Sequence, residues 1–130
     1  MTARDLFTRL ELTYIKNGWL FVNNRIFESE LSKYRIDLEA YNPDNGRIYY
    51  FVYDRDSEKL NHEIIYSFGL YLTKEYRVNN YAGYIVYDTG KLEPVLICDN
   101  KKIKEIKEKK EYLSKQGLDV VLEFLLKKLS

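Results

Sequence analysis

The sequence predicts an α/β fold: a central mixed sheet of about five strands flanked by helices, in the order αβββαββ followed by C-terminal helices. Three observations carry this expectation. Short runs rich in aromatic and branched residues, such as Trp19 to Val22 and Arg47 to Asp54, are too short for helices and have strand composition. Asn45-Gly46 lies between two such runs, and Asn-Gly in that setting is a strong hairpin signal. Leu60, Ile64, Phe68, Tyr71 and Leu72 then recur at helical spacing between the strands.

In chain order, Thr2 is a plausible N-cap with Asp5 behind it. Leu6, Phe7, Leu10 and Tyr14 give an amphipathic face, and Asn17-Gly18 supplies a stop. Trp19 to Val22 reads as a strand, and Asn23 to Lys33, which has no clean period, as a loop. Tyr34 to Tyr41 and Arg47 to Asp54 form the hairpin. Asp56 or Ser57 caps a long helix that runs to about Tyr76. Tyr81 to Tyr87 and Glu93 to Cys98 are strands separated by the turn Asp88-Thr89-Gly90. Lys101 to about Lys115 has helical composition, Gly117 interrupts it, and Leu118, Val121, Leu122, Leu125 and Leu129 make an apolar stripe on a last helix. We expect one domain over residues 1–130, with a core over 1–100 and a helical extension over 101–130.

Composition narrows the function classes. With 21 basic and 20 acidic residues the chain has no overall charge bias toward nucleic acid, so a phosphate-binding face must come from local clustering. The lysines of residues 101–110 alternate with glutamates, which favours a solvated helix laced with ion pairs over a tracking surface. One cysteine, Cys98, and one histidine, His62, exclude an internal disulfide and any cysteine-cluster or multi-histidine metal site. No apolar run approaches the roughly 20 residues that cross a bilayer. Nor does the N-terminus resemble a signal peptide, so a cytoplasmic location without membrane association is expected. Most of the thirteen tyrosines fall in strand-like segments, where a half-buried sheet accounts for them, although tyrosine can also stack on bases.

A two-residue turn at Asn45-Gly46 sets Asp37 directly across from Asp54 and Arg35 across from Asp56. Like charges facing each other destabilise a sheet unless a cation lies between them. Asp37 and Asp54 are therefore candidate ligands for magnesium, with Glu39 as an auxiliary ligand. Asp56 could orient or deprotonate a water, and Lys59 could supply positive charge. The structural alternative is that Asp54 and Asp56 serve as helix caps and that Asp37 answers Arg35 or Arg47. A three-residue loop would turn Asp54 off the face of Asp37, whereas a four-residue loop would keep them on one face.

The element order, with Asp37 on the second strand and Asp54 ending the third, resembles the PD-(D/E)XK nuclease superfamily, which includes restriction endonucleases and archaeal Holliday-junction resolvases. The resemblance covers roughly Asp5 to Cys98. It implies a restriction-endonuclease-like core in which Asp37 matches the motif aspartate, with Ile36 in place of the usual proline, and Asp54 matches the second acid. The motif lysine falls on Asp56, a departure shared with degenerate members. What the resemblance implies is a nucleic-acid-binding protein, DNA favoured, and a magnesium-dependent endonuclease; the apolar stripe Leu118 to Leu129 could pack on a second copy, so a homodimer is expected. The alternative is a catalytically inactive nuclease-fold module in protein or nucleic-acid assembly.

Overall fold

The structure, a computed structural model, describes residues 3–29, 32–99 and 102–105. Helix α1 (Ala3–Lys16) buries Leu6, Leu10 and Tyr14, which recur every four residues along one face. It stops where the sequence requires: Gly18 adopts φ +78°, and the Trp19 N–H returns to the Tyr14 carbonyl at 2.9 Å. Trp19 is thereby folded back onto the Tyr14 ring, with centroids 5.3 Å apart.

Six strands follow in chain order: β1 (Leu20–Glu28), β2 (Lys33–Tyr41), β3 (Ile48–Tyr53), β4 (Tyr81–Val86), β5 (Leu92–Asp99) and β6 (Lys102–Glu105). They lie side by side in that same order. All neighbours are antiparallel except β3 and β4, which are parallel because helix α2 (Glu58–Glu75) carries the chain back between them. Ser57 caps α2, its Oγ accepting the Leu60 N–H at 3.2 Å.

The two helices cover opposite faces of the sheet. Leu6, Leu10 and Tyr14 of α1 pack with Leu38, Phe51, Tyr84 and Val86, while Ile64, Ile65, Phe68 and Leu72 of α2 pack with Tyr50, Val52, Ile85 and Val95. Strands β3 and β4 are buried on both faces, which is why they read as nearly continuous apolar runs.

Two expectations are corrected. Asn23 to Glu28 continues β1 instead of forming a loop, because its pairing with Lys33–Leu38 of β2 outweighs the poor strand propensity of Asn23-Asn24. Lys102–Glu105 is strand β6 against β5 and not the start of a helix; the rest of the expected C-terminal helices, residues 106–130, lies outside the described residues. No helix among the described residues is long and apolar enough to cross a membrane.

Candidate functional site at the open end of strands β2 and β3

The hairpin reverses at Asn45-Gly46, yet its loop is wider than a two-residue turn. Asn42 closes it: its N–H donates to the Arg47 carbonyl at 2.9 Å, its carbonyl accepts the Gly46 N–H at 2.8 Å, and its side chain accepts the Asp44 N–H at 2.9 Å. The pairing therefore begins at Tyr41↔Ile48 and runs to Leu38↔Phe51. Continued by one residue, that register sets Asp37 level with Val52, not with Asp54. The expected facing pair of aspartates does not form.

Asp37 also marks a slip in the pleat. Leu38 and Ala40 pack on the α1 side, whereas Ile36, which a regular strand would place on the same side as Leu38, packs on the α2 side. Opposite the slip, Asn24 of β1 is left-handed, with φ +55°, between the pairs Asn23↔Leu38 and Arg25↔Ile36. Asp37 is thus freed from the ordinary alternation, and its carboxylate reaches toward β3. Oδ2 accepts the Tyr53 N–H at 2.7 Å and Nη1 of Arg55 at 3.0 Å, while Oδ1 accepts Nε of Arg35 at 3.2 Å. Arg55 also donates to the carbonyls of Tyr53, at 2.8 Å, and Arg35, at 3.2 Å. One carboxylate and one guanidinium thus bolt β2 to β3 beyond the last backbone pair.

Asp54 belongs to a different network. Its Oδ1 accepts the Asp56 N–H at 3.0 Å and Nδ2 of Asn61 at 2.7 Å, and the Asn61 side-chain oxygen Oδ1 accepts the Arg55 N–H at 2.8 Å. Asn61 is buried in α2, so Asp54 shapes the tight entry into that helix, where Asp56 takes φ +58°. Asp56 and Lys59 are exposed at this entry. Glu39 is committed elsewhere: both its oxygens accept Nη1 of Arg25, at 2.9 and 2.7 Å. The Arg25 guanidinium in turn lies 5.2 Å from the centroid of Tyr76 and 5.7 Å from that of Phe68. Burial alone would lower the Arg25 pKa; the hydrogen bond and charge of Glu39 outweigh it and raise it.

The predicted residues are therefore sorted into three groups. Asp37 joins Arg35, Arg55 and the side of the sheet carrying α1, where it lines a cleft of about 450 Å³ with Arg4, Phe7, Asn23, Asn24 and Tyr53. Asp54 turns to α2, and Glu39 sits under Arg25. Among the described residues no three His, Cys, Asp or Glu side chains converge to hold a metal ion. Of the oxygens expected to bind magnesium, both of Asp37, both of Glu39 and Oδ1 of Asp54 accept hydrogen bonds from arginine, asparagine or backbone N–H groups. Arg55 and Asn61 went unread in the sequence. The only hint was local, an arginine set between Asp54 and Asp56 at the close of a strand.

Behind this edge, Tyr53 Oη donates to Asp88 and Tyr87 Oη donates to the buried Glu93 at 2.6 Å. Burial first, then Glu93, Asp54 and Glu58, push the Tyr87 phenol well above its ordinary pKa. No protein-family model, curated protein or solved structure matches the chain.

Proposed function

We propose that the chain is a nuclease-like α/β module that binds nucleic acid without cutting it. The observation that carries this reading is the Arg55 guanidinium resting 3.0 Å from the Asp37 carboxylate, where a catalytic metal would have to lie. A cation supplied by the protein itself neutralises the acid, and a divalent ion would have to displace it. The element order and the parallel β3–α2–β4 unit favour the restriction-endonuclease-like core as the parent architecture.

The test is direct. Titration calorimetry with magnesium and manganese should give no heat of binding, and a panel of duplex, single-stranded and branched DNA should be retained in anisotropy measurements but left uncut. The second reading, a magnesium-dependent endonuclease using Asp37, Asp54, Asp56 and Lys59, draws on the exposure of Asp56 and Lys59 at the same end of β3. It requires Arg55 to leave Asp37. Metal-dependent cleavage that Asp37→Ala abolishes would establish it and overturn the first.

A further inference from the structure

We propose that the cleft between α1 and the open end of β2 and β3 seats a single nucleotide unit, taken from an unpaired strand. The inference rests on the nucleic-acid reading above and names the form of nucleic acid. Its basis is the chemistry of the lining, which brings Arg4 and Phe7 of α1, Asn23 and Asn24 of β1, and Arg35 and Tyr53 around Asp37, whose charge Arg55 already neutralises.

Size comes first. About 450 Å³ is room for one nucleotide, in a cleft open to solvent along α1. Phe7 and Tyr53 are half-buried, held in place by the packing beneath them, and offer aromatic surface to a base. Asn23 and Asn24 are exposed, and each amide carries both donors and an acceptor, as a Watson–Crick edge demands; Glu11 adds an acceptor for an exocyclic amino group. In a duplex those edges and ring faces are already occupied. Only an unpaired base presents them.

The phosphate has its own partners. Arg4 is exposed, and Arg35 is about half exposed with its ion pair to Asp37 at 3.2 Å. That pair is dispensable to Asp37, which keeps Arg55 and the Tyr53 N–H when Arg35 swings away. Arg35 can therefore exchange a carboxylate for a phosphate without leaving a buried charge unpaired. Arg55 cannot do so, because it also ties down two backbone carbonyls. The site thus separates a fixed arginine from a mobile one.

The experiment uses the full chain and fluorescence anisotropy, with a labelled mixed-sequence single strand, the matching duplex, and unlabelled nucleoside monophosphates as competitors. The single strand should bind at least roughly tenfold more tightly than the duplex, and monophosphates should compete weakly, as one unit of a longer contact. Arg4→Glu and Arg35→Glu should each weaken strand binding about tenfold and flatten its salt dependence. Phe7→Leu, which keeps apolar packing but removes the ring face, should weaken it by a similar factor with an unchanged thermal melt. Asn24→Gly keeps the left-handed backbone while deleting the amide, and should also weaken binding. Duplex binding equal to or tighter than strand binding, or strand binding untouched by Phe7→Leu and Arg4→Glu, overturns the inference and leaves the nucleic-acid reading standing. Monophosphates bound without any strand would overturn that reading and keep the nucleotide site. No binding of any of the three overturns both.

Discussion

Arg55 and Asp37 meet at 3.0 Å, and the same guanidinium nitrogen reaches the Tyr53 carbonyl at 2.8 Å, so one ion pair spans the gap where β2 and β3 part. The Asp37 side chain is 11% exposed and that of Arg55 18%, which removes most of the solvent screening that makes surface pairs weak. Arg55→Ala should therefore destabilise the protein by about 2–4 kcal/mol, because it leaves a mostly buried carboxylate with only the exposed Arg35 as counter-charge and frees two carbonyls. Urea denaturation checks the value. Arg55→Lys should recover only part of it, since an ammonium cannot span three acceptors in the same plane.

Asn61 joins the Asp54 carboxylate to the Arg55 N–H from inside α2. Asn61→Ala should cost about 2 kcal/mol by leaving both partners unsatisfied. Asn61→Asp should be worse at neutral pH and partly recover as the pH falls through the carboxylate range, because two acids then no longer repel. Denaturation at several pH values separates the two effects.

Tyr14 and Tyr84 are fully buried, and among the described residues their hydroxyls have no hydrogen-bond partner. Tyr84→Phe should leave stability unchanged or raise it by up to about 1 kcal/mol, since it removes a desolvated hydroxyl and keeps the ring stacked on Phe51. A thermal melt decides.

Burial, with neighbouring tyrosines adding to it, raises the phenol pKa of Tyr14, Tyr50 and Tyr84 above the ordinary value of about 10. The folded chain holds these protons to higher pH than the unfolded chain does. The unfolded state therefore binds fewer protons above pH of about 10, and stability falls as pH rises from there. Their contribution is fully present below that point. In an alkaline titration the last rise of phenolate absorbance should coincide with the loss of circular dichroism, and complete ionisation of all thirteen tyrosines before unfolding would contradict the buried placement.

A methyl group at Gly83 would lie 2.7 Å from the Tyr50 ring and 2.7 Å from Ile65. The ring cannot give way, because Tyr50 Oη is bound to the Ile65 carbonyl at 2.8 Å. Gly83→Ala should cost about 1–3 kcal/mol in a denaturant titration, as overpacked cores do.

Much of the architecture was legible in the sequence, because periodicity reports directly on burial. Leu60, Ile64, Phe68 and Leu72 marked α2, and Asn17-Gly18 marked the end of α1. The reversal at Asn45-Gly46 was legible too, but its register was not: Asn42, three residues earlier, widens the loop through its own backbone and side chain. The slip at Asp37 lies opposite the left-handed Asn24 of a different strand, and no pattern within β2 announces it. Residue type pointed to the carboxylates, while their partners Arg55 and Asn61 come from the strand end and from inside α2, which no period or motif marks.

Asn24 has a last consequence, for the rim of the sheet. Among the described residues strand β1 is one of its two outer members, and Leu20, Val22 and Ile26 are exposed along it. Such a border, if straight, would be a template on which another chain could add a strand and begin to aggregate. Asn24, left-handed at φ +55°, is a departure from extended backbone midway along that border, the kind of irregularity that makes an edge strand a poor template. The residue opposite Asp37 thus also stands guard where intermolecular sheet growth would start.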